Sequence, residues 1–194
     1  MPRSRQKKTR PRLGDAIGEA AACVALLAIV KGIELLLGIS LAGFGILPRD
    51  PHGLIGVIFA PLLHGSLAHL LANSGPLFVL LVLLLMDSRY RPGATITWIW
   101  LISGMGTWIL GRAGDAGHPI VHIGASSIIY GLVSYLIAAG LRMRSWRPIC
   151  TSVAVGLAYG GIFYGVLPND GLISWEGHLA GAVAGLWAAD RQHR

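Results

Sequence analysis

The chain has 194 residues, of which 54% are hydrophobic and only 13% charged, with a mean hydropathy of +0.62. One soluble core of this size has too little interior for so much apolar surface, so an integral membrane protein is indicated. A formal net charge of +7 is compatible with nucleic-acid binding, but six of the sixteen Lys and Arg residues fall within the first twelve positions, a clustering that marks a cytoplasmic face instead.

Residues 1–14, basic and carrying two prolines, read as a short cytoplasmic tail. From about 15 to 39 runs a first apolar segment, long enough for a hydrocarbon core that needs roughly 20 residues. A cleaved signal peptide fits it poorly, because Lys31 and Glu34 interrupt the run and no small-x-small site ends it. Standing three apart, these two charges can share a helical face and pair, and a structural pair is the preferred reading over a catalytic one. Cys23 and Cys150 lie in or beside apolar runs with no Cys-x-x-Cys spacing. They are read as small core residues rather than as a disulfide or metal site. Residues 40–65, rich in Gly and holding Pro48, Pro51 and Pro61, are too interrupted to span and suggest an interfacial loop or short helices on the membrane.

Further spans are predicted at about 67–86, 94–110, 126–141, 148–167 and 176–189, making an all-α, six-helix membrane domain over 15–190. With the amino terminus cytoplasmic, the inner segments hold thirteen Lys and Arg residues and the outer loops only Arg49 and Arg112, as the positive-inside rule requires. The second, fourth and sixth spans then all run inward from the outer face. Their first turns carry His69 and Asn73, Ser126 and Tyr130, and His178 at similar depth. Each of the pairs His69/Asn73 and Ser126/Tyr130 is four apart and projects from one face. Gly177, Gly181 and Gly185 recur every fourth residue, a stripe that admits a close neighbouring helix. If that neighbour is the fourth span, His178 is carried to Ser126.

Buried hydroxyls in so apolar a chain are costly without partners or a task. The task that fits Ser126 is that of a nucleophile, with His178 as the base that accepts its proton. Asn73, His69 and the Ser126 amide are the donors available to an oxyanion. Glu176 is two residues from His178 and points elsewhere, and Asp170 lies in the preceding loop, so no third carboxylate is expected. Stacking of Tyr130 on the His178 ring could orient the imidazole instead. His52, His118 and His193 read as loop or interface histidines, and His122 is open between a structural and a functional role. A zinc site drawn from His64, His69 and His178 lacks a His-Glu-x-x-His helix and its i, i+4 spacing. The expected site is a polar cavity open to the outer side, with the loop at about 167–175 placed as a lid.

With Gly124-Ala125-Ser126, Tyr130, the His64/His69/Asn73 series and His178 with Gly181 and Gly185, the chain resembles the rhomboid intramembrane serine proteases from about Gly45 to Gly185. The resemblance implies a Ser126–His178 dyad, an oxyanion site around His69, Asn73 and the Ser126 amide, and supporting roles for Gly124, Tyr130, Gly181, Gly185 and His64. It implies cleavage of other proteins' transmembrane segments near the outer face of a membrane, with no cofactor, no metal and no nucleic-acid partner. A bacterial cytoplasmic membrane is the expected location. One position departs from the family pattern, Ser127 standing where Gly is usual, and both the Gly-x-Ser spacing and Tyr130 favour Ser126 as the serine that reacts. The alternative is a relative that binds transmembrane helices without cutting them.

Overall fold

The computed structural model describes residues 12–115, 117–168 and 173–193. The expected basic tail therefore lies almost wholly outside the described residues, as do Asp170 and Gly171 of the expected lid. Seven α-helices occur among the described residues: α1 (Leu13–Leu37), α2 (Gly56–Phe59), α3 (Leu67–Leu85), α4 (Pro92–Leu110), α5 (Ser126–Arg142), α6 (Trp146–Tyr159) and α7 (Trp175–Gln192). The chain is all-α and an integral membrane protein. α1, α3 and the stretch Ser88–Leu110 that contains α4 are long and apolar enough to cross a bilayer. The connection after α1 is a series of short pieces, 3-10 turns at Ala42–Phe44, Pro51–Ile55 and Ala60–Leu62 around the single turn of α2.

Local chemistry sets the ends of these helices. Gly38, left-handed at φ 62°, closes α1 by donating its N–H to the Glu34 carbonyl. Ser66 caps α3, its hydroxyl accepting the N–H of His69 at 3.0 Å. Pro92 opens α4 at a position where its missing N–H costs nothing. Arg49 closes that helix by donating to the carbonyls of Ile109 and Gly111 at 3.0 and 2.8 Å. α6 departs from its predicted extent. The helix stops at Tyr159 and continues as 3-10 turns from Gly160 to Val166, because the Gly160–Gly161 pair offers the backbone other conformations at little cost.

α5 is the hub, buried along most of its length and packed against α3, α4, α6 and α7. Its closest neighbour is α7. A Cβ on Gly181 would overlap the Ser127 carbonyl, and one on Gly185 would overlap the Gly131 carbonyl. The predicted stripe thus meets the predicted partner at Gly181 and Gly185, whereas Gly177 faces Ser174 and Thr107. Ser134 adds a hydrogen bond of 2.8 Å to the Ala182 carbonyl across the same contact.

The cysteines correct the sequence reading. Cys23 and Cys150 are both free and both exposed, facing the surroundings rather than the core. The buried residues of α1 are Ala16, Ala20, Leu27, Lys31 and Glu34, with Val24 partly buried beside them, and Cys23 stands off that stripe. The physical reason is that an apolar run in a membrane protein has lipid as well as protein to face.

Candidate functional site

The first turns of α3, α5 and α7 meet at one end of the bundle. The chain enters α5 through Gly124, whose φ of 114° is one that L side chains rarely adopt and where an added Cβ would come within 2.7 Å of the His69 ring. Its N–H donates to the Ala60 carbonyl at 2.8 Å. One residue pair earlier, Ile46 and His122 exchange backbone hydrogen bonds of 3.0 and 2.9 Å. The segment that delivers Ser126 is therefore clamped on two sides.

Ser126 Oγ lies 3.0 Å from His178 Nε2, and His178 Nδ1 lies 3.0 Å from the Gly165 carbonyl oxygen. A carbonyl can only accept, so Nδ1 carries the ring proton and Nε2 presents a lone pair to the serine hydroxyl. This is the tautomer a general base requires. The Tyr130 ring stacks on the imidazole, centroids 4.0 Å apart and planes 11° from parallel. Gly165 is hemmed in by the same two side chains: a Cβ there would overlap the Tyr130 hydroxyl.

His69 and Asn73 sit across from this pair on α3. Asn73 is buried and donates from Nδ2 to the His69 carbonyl at 3.1 Å. An open cleft of about 870 Å³ runs between these elements, and Ser126, His178, His69, Asn73 and Tyr130 all contribute to its wall. His64 is fully buried beside it, edge-on to His69 with ring centroids 5.0 Å apart. Among the described residues no group of three His, Cys, Asp or Glu side chains is arranged to hold a metal. Ser127 points away from His178 towards α4, where the Ser103 hydroxyl reaches its Oγ at 3.4 Å.

Several residues around the site carry little signal in the sequence. Glu176 is buried and binds Arg112, accepting from its Nε at 2.5 Å and its backbone N–H at 3.1 Å. The Arg112 guanidinium also donates to the Ile173 carbonyl at 2.8 Å. His122, left open in the sequence, is a structural link in this geometry. Its Nε2–H donates to the Arg112 carbonyl at 2.9 Å, and its Nδ1 accepts from the Ser174 hydroxyl at 2.5 Å. Burial pushes the His122 imidazole below its usual range, which favours the neutral ring these two bonds need. Together these contacts tie the α4–α5 connection to the start of α7. Of the other histidines, His118 is exposed beside Asp115, and His193 meets the Tyr135 hydroxyl at 3.0 Å at the far end of the molecule.

Comparison with known proteins gives a consistent result. The family model described as Rhomboid domain matches residues 51–193. An uncharacterised protein of Mycobacterium tuberculosis is 44% identical over 169 residues, covering 86% of this chain and 70% of its own length. An uncharacterised protein of Mycobacterium leprae is 37% identical over 169 residues, covering 86% and 67%. A putative rhomboid protein of Acanthamoeba polyphaga mimivirus is 27% identical over 135 residues, covering 68% and 71%. No solved structure matches the chain.

Proposed function

We propose, from the premise that the chain belongs to the Rhomboid domain family, that it is an intramembrane serine endopeptidase that cuts transmembrane segments of other proteins. The observation that carries this reading is the 3.0 Å approach of Ser126 Oγ to His178 Nε2 in the tautomer that the Gly165 carbonyl selects. Ser126 attacks the scissile carbonyl while Nε2 takes its proton, and the imidazolium returns that proton to the leaving amine. A water then attacks the acyl-serine, again with His178 as base. The Gly165 carbonyl and the stacked Tyr130 hold the charged ring in place, the work an acid performs in a triad. The oxyanion is received by His69, Asn73 and the Ser126 amide, a helix N-terminal N–H with no acceptor within its own helix.

The fold is read as six spans, with α6 and its 3-10 extension as the fifth and the amino terminus in the cytoplasm. The site then lies towards the outer side of a bacterial cytoplasmic membrane, and the substrate helix enters from the lipid and unwinds locally in the cleft. The test is reconstitution in liposomes with a set of single-span reporter proteins. Expected is a cut mapped by mass spectrometry close to the outer end of a span, absent with Ser126→Ala. Stable capture of spans with no cut by the wild type would instead identify a helix-binding protein.

A further inference from the structure

The Lys31–Glu34 pair lies ahead of the region matched by the family model and takes no part in the chemistry above. Both side chains are nonetheless largely buried, at 11% and 6% exposure, on a helix that otherwise offers most of its surface to the surroundings. Lys31 Nζ donates to Glu34 Oε2 at 3.1 Å. A buried ion pair is a poor stabiliser compared with apolar residues of the same volume, so its energy does not account for it.

The second carboxylate oxygen supplies the account. Glu34 Oε1 accepts the backbone N–H of Leu41, seven residues on, at 2.7 Å. Leu41 begins the turn Ala42–Phe44, and the next residue, Gly45, is packed so tightly that a Cβ would sit 2.5 Å from the side chains of Val121 and Ile123. Ile46 follows and makes the paired hydrogen bonds to His122. A continuous line of contacts thus leads from the carboxylate of α1 to the segment that delivers Ser126.

We propose that Glu34, held in its rotamer by Lys31, is a positioning residue that fixes residues 41–46 as the platform for the approach to the nucleophile. This rests on the protease reading only for its effect on turnover. The platform itself is a property of the fold. The role belongs to the oxygen that accepts from Leu41, so Glu34→Gln, which keeps one acceptor but loses the one that faces Lys31, retains it in part and Glu34→Ala loses it.

The experiment compares wild type, Glu34→Gln and Glu34→Ala in detergent by two readouts. Amide hydrogen exchange at Leu41, Ile46 and His122 reads the platform without reference to activity. Expected is exchange faster by about tenfold or more in the Ala variant, much less accelerated in the Gln variant, with the core of α5 unchanged in both. Labelling rate with a fluorophosphonate, per folded molecule, reads the consequence at Ser126. Expected is a loss of about ten- to hundredfold in the Ala variant and partial rescue by Gln. Unchanged exchange in Glu34→Ala, or exchange equally fast in both variants, overturns the proposal. So does loosened exchange with an unchanged labelling rate per folded molecule. An unreactive wild type with the expected exchange pattern would contradict the protease reading and leave the platform standing.

Discussion

At the scale of single residues, the site divides by the kind of group that makes it. Ser126, His178, His69, Asn73 and Tyr130 are legible in the sequence because each is a polar side chain opening an apolar run, and helical spacing says which of them share a face. The acceptor that sets the His178 tautomer is not legible, since it is the backbone carbonyl of Gly165 and any residue type has one. The Arg112–Glu176 and His122–Ser174 contacts span 64 and 52 residues, and no local period points across such distances. Gly165 is nevertheless constrained, as a methyl there would strike the Tyr130 hydroxyl. Gly165→Ala is expected to displace the carbonyl or the ring and to lower kcat/KM by about ten- to hundredfold with the fold retained. Turnover of a reporter substrate at the wild-type level would mean that this carbonyl does not orient the base.

At the scale of elements, α5 and α7 touch backbone to backbone, and the glycine stripe that permits this is visible in the sequence as an every-fourth-residue repeat. Which glycines of the repeat matter is decided by three-dimensional contact. The Cβ of Gly181→Ala would overlap the Ser127 carbonyl, whereas that of Gly177→Ala would first meet the Ser174 hydroxyl, which can turn away, and Gly156→Ala on α6 would meet nothing within 4 Å. Gly181→Ala is therefore expected to destabilise by about 1–3 kcal/mol. Gly156→Ala is expected to be neutral or to stabilise by roughly 0.5–1 kcal/mol through helix propensity. Thermal unfolding in detergent checks the order; equal midpoints for these two variants would remove the close α5–α7 contact as a determinant of stability. The end of α6 is not fixed by the sequence pattern, since Gly160 and Gly161 permit a helix as well as a turn. The exposure of Cys23 and Cys150 is not legible in the sequence, because apolar neighbours do not distinguish a side that faces protein from one that faces lipid.

At the scale of the whole molecule, the two ends of the bundle differ in chemistry. The site end holds the histidines and the cleft, while the far end gathers the α3–α4 turn, the α5–α6 turn and the end of α7. There the Tyr135 hydroxyl donates to the Tyr90 carbonyl at 2.6 Å, and Arg142 pairs with Asp190 at 3.6 Å. Arg89, Arg91, Arg144, Arg147 and Arg191 belong to these same turns and termini, which supports a cytoplasmic assignment for that end. With Cys23 and Cys150 replaced by Ala, Asp115→Cys is expected to react with an impermeant maleimide added outside intact cells, and Arg144→Cys only after permeabilisation. The opposite pattern would invert the orientation and put the cleft on the cytoplasmic side.

The most direct test of an activated serine is labelling of the purified protein in detergent with a fluorophosphonate, comparing wild type with Ser126→Ala, Ser127→Ala and His178→Ala. The geometry predicts labelling that is lost in the Ser126 and His178 variants and kept in the Ser127 variant, whose hydroxyl faces Ser103 rather than the base. Labelling that survives Ser126→Ala, or is absent from a folded wild type, would contradict the account.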